Sequence, residues 1–251
     1  RLFEHGFSTG HGYLREPQSI TSYAALACIA IQANQNEMHG GQSVPNFDYA
    51  MAKGVNKSWA KAWKDALKTL YAWDLEVNQR LDEDEAVDKS DQLLEQFMED
   101  KESLALTLDD AKEVTKTFEQ WLVANDIFDK EMAERFATAV EHKAYSATKR
   151  ESDQAMQALV HNLNTMNSRA GAQVPFSSLN YGTDTSDAGR MAIKSLLKAT
   201  DEGLGSGETA IFPVQIFKVK EGVNYNPGDP NYDLFREAMK TSAKRLFPNF
   251  S

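Results

Sequence analysis

The sequence predicts an α/β protein with strands toward both ends and a substantial helical layer between them. Three patterns predict it. Residues 173–219 read strand, helix, strand; residues 55–166 keep helical apolar spacing almost throughout; and glycine-rich loops flank a short apolar helix near the start.

The elements follow in chain order. Residues 1–20 form a polar, glycine-rich opening with Ser8-Thr9-Gly10-His11-Gly12 and Pro17, which is loop composition. Ser19 or Thr21 can cap an apolar helix over about 22–34. A second loop, Met38 to Pro45, holds Gly40, Gly41, Gln42 and Ser43. Ser58 then opens a helix in which Trp59, Ala62, Trp63, Ala66, Leu67 and Leu70 make one apolar stripe. Leu81 to Glu102 sets Leu93, Leu94, Phe97 and Met98 among carboxylates, the composition of a solvated helical face. Asp109 and Asp110 stand where they can cap a helix carrying Val114, Phe118, Trp121 and Leu122.

From Asp129 to Met166 the apolar positions Met132, Phe136, Val140, Ala144, Ala147, Met156, Leu159, Val160 and Leu163 predict one very long helix or two in tandem. Such length calls for a partner helix, as across a dimer. Gln173–Tyr181 then reads as a strand. Ser186 or Asp187 caps a helix with Met191, Ile193, Leu196 and Leu197, which Gly203-Leu204-Gly205 ends; Thr209–Val219 reads as a nearly continuous apolar strand. Pro213 weighs against that last strand, because proline has no N–H for a ladder. A strand, helix and strand of these lengths make a parallel crossover unit.

Composition excludes several classes. A net charge of −10 disfavours long nucleic acid, whose binding depends on many cations meeting phosphates, but leaves a small nucleotide open. The longest apolar run, Tyr23–Ile31, is too short for a bilayer, and no signal peptide opens the chain. The single cysteine, Cys28, excludes an internal disulfide framework and a multi-cysteine zinc or iron–sulfur site, and fits a reducing, cytoplasmic compartment. Its apolar helix predicts a buried structural thiol. No histidine pair has metal-site spacing, and no G-x-S-x-G elbow is present. The chain opens on Arg1 and closes on Pro248-Asn249-Phe250-Ser251, the look of an internal piece.

Two loops invite ligands. In Asn167–Gln173, Arg169 offers a planar fork, Ser168 and Gln173 can hydrogen-bond a base, and Gly171 permits close backbone approach; an ordinary helix end fits the same residues. Gly40-Gly41-Gln42-Ser43 lacks the lysine of a Walker loop and serves equally as a plain turn.

Four blocks resemble the anaerobic (class III) ribonucleoside-triphosphate reductase large subunit. They are Phe7–Pro17 (FSTGHGYLREP), Ala27–Tyr49 (ACIAIQANQNEMHGGQSVPNFDY), Ser168–Thr185 (SRAGAQVPFSSLNYGTDT) and Thr209–Leu234 (TAIFPVQIFKVKEGVNYNPGDPNYDL), closed by Arg245-Leu246-Phe247-Pro248-Asn249. The resemblance implies about one half of a ten-stranded α/β barrel of the glycyl-radical type. It divides the chain into glycine-rich loops and helix (1–54), a helical dimer and effector layer (55–167) and a barrel segment (168–251).

It also implies a thiyl cysteine, a glycyl radical and a structural zinc in the whole enzyme. None of these falls here: no segment matches the glycyl-radical motif and Cys28 matches neither family cysteine, so the piece carries no catalytic residue and no metal ligand and is expected to be inactive alone. What carries over is recognition. Gly40, Gly41, Gln42 and Ser43 are similar to the family's first glycine-rich loop, and Ser168, Arg169, Gly171 and Gln173 to the loop between effector and substrate. Lys143, Lys149 and Arg150 are the nearest clustered cations for an effector triphosphate, with Asp48 and Lys53 as weaker contact candidates; plain surface charge fits each of the five residues as well or better. The implied partners are nucleoside triphosphates such as ATP, a second subunit, and a radical S-adenosylmethionine activating enzyme. The other readings are a non-catalytic nucleotide-binding or dimerisation module and, more remotely, a pyruvate formate-lyase relative.

Overall fold

A computed structural model describes residues 7–8, 13–38, 40–166 and 173–251, the first four of these in backbone alone. His39, residues 9–12, and Ser168, Arg169 and Gly171 lie outside the described residues. The element order is β1 (Phe7–Ser8), β2 (Tyr13–Leu14), α1 (Ile20–Glu37), β3 (Gln42–Val44), α2 (Phe47–Asn78), α3 (Glu83–Asp100), α4 (Ala111–Ala124), α5 (Lys130–Thr165), β4 (Ser177–Tyr181), α6 (Asp187–Glu202), β5 (Val214–Phe217), α7 (Tyr232–Arg245) and β6 (Asn249–Phe250). The chain is α/β and mostly helical. It divides into two compact units, one of residues 1–55 with 149–251 and one of residues 56–148, the divisions falling within α2 and α5.

In the first unit a four-stranded parallel sheet has the order β3-β4-β5-β6. The expected crossover is present as β4-α6-β5, and α7 adds a second crossover that leads to β6. Ser177, Leu179 and Tyr181 of β4 and Gln215 and Phe217 of β5 are buried. That face meets the helices: Gln215 Nε2 donates to Thr200 Oγ1 of α6 (2.8 Å), and the Phe217 ring lies 6.1 Å from Phe235 of α7. The alternate residues Ser178, Asn180, Val214 and Ile216 are only half-buried. Parallel sheets are normally covered on both faces, so this second face is the less protected one.

Caps behave as their chemistry demands. Ser19 opens α1 with a capping box shared with Ser22, and Ser186 opens α6 by accepting from Gly189 N–H (3.1 Å). Gly203, at φ +79°, ends α6. Residues 130–165 form one 36-residue helix rather than two.

Several expectations are corrected. The helix expected from Ser58 begins at Phe47, and Ser58 is buried inside it. Inside this helix Gly54 marks a crossing, where a Cβ would meet the Tyr23 ring of α1 at 2.9 Å. Asp110 holds the N-cap position of α4, but its carboxylate accepts from Thr107 Oγ1 (2.6 Å) and not from a helix N–H. Met132 is exposed, not part of the α5 stripe. Both long strands shrink. β4 starts after Pro175, and β5 starts at Val214 directly after Pro213 because neither proline can donate to a ladder. The backbone of Ile211 and Phe212 turns to the Asn164 side chain instead, its Oδ1 accepting from both N–H groups (3.0 and 3.1 Å).

Cys28 is buried as expected, and burial pushes its thiol up to about 11. Cys28→Ser should therefore change stability by only about 1 kcal/mol. Denaturant midpoints of the two proteins, and the reactivity of the native thiol toward a disulfide reagent at neutral pH, check this; rapid labelling of native Cys28 would contradict it.

The residues 56–148 form a helical unit with an aromatic centre. Phe118 of α4 meets Trp63 of α2 and Phe97 of α3 edge to face, with ring centroids 5.1 and 4.9 Å apart. The acidic α3 buries only Ala86, Ser90, Leu93 and Phe97, and keeps its carboxylates on the solvated side. No helix among the described residues is long and apolar enough to cross a membrane.

Candidate functional site

Two ends of the parallel sheet could receive a ligand, and they differ in what already occupies them. At the carboxyl end, the turn after β4 points three consecutive N–H groups at one carboxylate. Gly182, Thr183 and Asp184 donate to Asp48 Oδ2 at 2.8, 3.0 and 3.0 Å, and Tyr49 N–H donates to Asp48 Oδ1 at 3.1 Å. Asp48 is 1% exposed. A concavity of backbone amides is an anion cradle, and here the protein's own side chain fills it. Asp48, expected as an effector contact, is thus built into the sheet's end and not presented to solvent.

The same end is tied down further. Asn224 Nδ2 donates to the carbonyls of Gly182 (2.8 Å) and Lys218 (2.9 Å), and Asn231 Nδ2 to that of Asp184 (2.7 Å). Arg190 donates to Asn231 Oδ1 (2.7 Å) and Asp233 (2.7 Å). Tyr181 donates to Gln215 Oε1 (2.7 Å); burial first, and the Asp48 charge second, hold its phenol well above the ordinary value, so it stays protonated.

Among the described residues the amino end is the more exposed one. Gly40 and Gly41 precede β3, Phe176 precedes β4 and Phe212 precedes β5. Gln42 N–H donates to Phe176 O (2.8 Å), and a Cβ on Gly41 would stand 2.8 Å from the Phe176 ring, so only glycine lets the turn lie against that phenyl. Phe176 meets Phe212 edge to face at 5.1 Å. Asn164, near the end of α5, binds the Phe212 carbonyl as well as the two N–H groups named above, so α5 and the chain before β5 are joined. Gly40, Gly41, Ser43 and Gln173 are exposed there, beside the exposed side chains of Met38, Met166, Phe176 and Ile211.

This placement sorts the predicted loop residues. Gly40, Gly41, Ser43 and Gln173 are presented on one edge. Gln42 is buried: its amide accepts from Asn34 and donates to Gly40 O (3.4 Å), so it holds the turn in place. The described groups of the edge are backbone, the Gln173 amide, the Ser43 hydroxyl and aromatic and aliphatic faces. They can stack a base and hydrogen-bond it.

The cation candidates on α5 differ in their surroundings. Lys149 Nζ pairs with Asp153 Oδ2 at 2.9 Å, an atom that Lys198 of α6 also reaches at 2.7 Å. Lys143 and Arg150 are exposed. Lys143 lines an open groove of about 690 Å³ with Arg135, His142, Glu131 and Glu134. Lys53 is exposed on α2, between buried neighbours on either side. Burial raises the Asp153 pKa, but hydrogen bonds from Lys198, Lys149 and Ser195 together outweigh it and leave the carboxyl below its ordinary value. That stabilisation is present above the unfolded pKa near 4 and lost as pH falls through the lower folded value. Asp153→Asn should therefore cost roughly 1 kcal/mol at pH 7, since both lysines are half in water, and nothing near pH 2. Urea midpoints of both proteins across this range measure it; a pH-independent difference would mean that packing, not charge, matters there.

Sequence reading did not single out Asn164, Phe176, Phe212, Asn224 or Asn231. The asparagines had a signal, since they sit at a helix end and in a proline- and glycine-rich loop, where such side chains bind backbone. The phenylalanines had none beyond ordinary apolarity.

Comparison with known proteins adds to this geometry. A family profile described as anaerobic ribonucleoside-triphosphate reductase matches residues 1–251. The chain is similar to proteins of that name from Enterobacteria phage T4, 26% identical over 250 residues, and from Escherichia coli K12, 24% identical over 249. Each match covers 99% of this chain but 30% and 26% of the relative. A protein of that name from Haemophilus influenzae is 36% identical over 111 residues, 44% of this chain and 16% of the relative. The chain thus spans less than a third of the length of these relatives.

Proposed function

The chain belongs to the anaerobic ribonucleoside-triphosphate reductase family, and from that premise we propose that it is the nucleotide-facing piece of such an enzyme. The whole protein converts ribonucleoside triphosphates to deoxyribonucleoside triphosphates in the cytoplasm. Its radical glycine, thiyl cysteine and structural zinc lie outside these 251 residues. The residues present do not fit those groups: the one thiol, Cys28, is buried and held protonated, and no group of three His, Cys, Asp or Glu side chains that could hold a metal occurs among the described residues. No chemical step is assigned to this chain.

The observation that carries the reading is the exposure of the described residues at the amino edge of the sheet. Gly40, Gly41 and Ser43 meet the approach to β4 there, supported from behind by Gln42 and Asn164. Ser168, Arg169, Gly171 and Gln173 belong to that approach by sequence. An effector triphosphate binds at a two-fold contact between subunits, with Arg150 of α5 as a cation for it, and shifts the preference for substrate through the 168–173 segment. A radical S-adenosylmethionine enzyme installs the glycyl radical.

In the full-length enzyme Arg169→Ala is expected to narrow effector-dependent discrimination among the four substrates while radical yield stays unchanged. A fork of two hydrogen bonds contributes roughly 1.5–3 kcal/mol, which is about ten- to a hundred-fold in relative turnover. Competing the four substrates anaerobically at saturating effector measures it. Unchanged ratios would make the segment structural. Nucleotide binding without any deoxynucleotide formation by the activated wild-type enzyme would favour a non-catalytic module.

A further inference from the structure

The unit of residues 56–148 holds 12 of the 27 lysines and arginines but 22 of the 37 aspartates and glutamates; the other unit holds 15 of each, so the whole net charge of −10 lies in the helical unit. Within this acidic unit α2 and α3 leave a groove of about 380 Å³. Its apolar surface is open to solvent. Trp73 is 60% exposed and Val87 across the groove 45%, whereas Trp59, Trp63 and Trp121 are buried. Ala72, Leu75 and Ala86 form the buried cluster beneath.

The polar rim has a regular spacing. Glu83, Val87 and Asp91 recur every four residues on α3, so each carboxylate stands one turn from the apolar centre. Glu76 lines the groove from α2, near the hairpin end where Glu83 lies; Asp91 marks the other end and already holds Lys68 at 3.0 Å. That ion pair shows how the rim takes a cation. The lining sets three carboxylates, Glu76, Glu83 and Asp91, against the single cation Lys68, and exposed apolar surface with such an acidic excess is a recognition surface for the complementary pattern.

We propose that this groove docks an amphipathic helix of another protein, one with an apolar anchor for Trp73 and Val87 and a lysine or arginine one turn to either side. A second copy of this unit would bring like charge against like, so charge disfavours that occupant.

The experiment uses the full-length protein, whose Trp73 is tested for quenching by acrylamide with and without a synthetic helical peptide. The peptide carries leucines on one face and lysines flanking them; the control keeps the leucines and replaces lysine by glutamate. The lysine peptide is expected to bind and to shield Trp73, the glutamate peptide to bind at least about ten-fold more weakly, and the charge-neutral variant Trp73→Ser to lose about ten-fold in affinity for the lysine peptide. Equal binding of the two peptides, or binding indifferent to Trp73→Ser, overturns the proposal in favour of non-specific attraction. Trp73 already shielded in the peptide-free protein also overturns it: shielding lost on dilution assigns the groove to a second copy, and shielding that persists assigns it to another part of the same polypeptide.

Discussion

Asp48→Ala is expected to destabilise the chain by roughly 3–5 kcal/mol, because it removes the shared acceptor of three N–H groups at the end of a parallel sheet. An unpaired buried N–H costs about 1–3 kcal/mol, and water entering beside the half-buried Thr183 recovers part of the sum. The damage should spread along a defined path. The Gly182 carbonyl holds Asn224 and Asn231, and Asn231 in turn orients Arg190, so a loosened turn releases the loop before α7. Asp48→Asn should fall between: its carbonyl oxygen still accepts, but its amide nitrogen replaces the oxygen that accepts from Tyr49 N–H. Urea titrations of the three proteins give the numbers. A loss below about 1 kcal/mol for Asp48→Ala would mean that the turn keeps its shape without the carboxylate.

Asp48 also shows why part of the site was not legible in the sequence. A carboxylate three residues after a proline, next to a glycine-rich loop, has the same local context whether it faces a nucleotide or its own backbone. Its partners lie 134 to 136 residues away. Features whose cause is local were readable. Ser19 and Ser186 cap their helices because a hydroxyl before an apolar run needs nothing distant, and the α6 crossover follows from its length and its terminal Gly203. Strand lengths depend on neighbours, and Thr209–Val219 contracted to Val214–Phe217 because Asn164, 47 and 48 residues earlier, takes the backbone of Ile211 and Phe212 out of the ladder. Gly40 and Gly41 were found for a local reason, the composition of a turn. The need for glycine at position 41 comes from the distant Phe176 ring.

Phe118→Ala should produce a loss of similar size in the helical unit, for a different reason. Phe118 is fully buried, and its ring meets those of Trp63, Phe97, Trp121 and Phe136, with centroids 5.1, 4.9, 6.3 and 6.1 Å away. Truncation removes the transfer free energy of a benzyl group and leaves a cavity that four rigid rings cannot collapse to fill, so the cost is about 3–5 kcal/mol. Polar relief is poor. The indole N–H of Trp63 has no hydrogen-bond partner in this core, yet one donor among aromatic walls gives a water too few partners to stay. Phe118→Leu, which keeps most of the volume, should cost under about 1.5 kcal/mol. Near-ultraviolet circular dichroism reads the change directly, since Trp63 and Trp121 border the cavity and their signals depend on fixed ring geometry. Calorimetry with both variants should show the alanine protein melting about 6–20 °C lower, at 2–4 °C per kcal/mol for a chain of this size. If the alanine and leucine proteins melt together, the ring contacts contribute little and the unit is held by its helix surfaces instead.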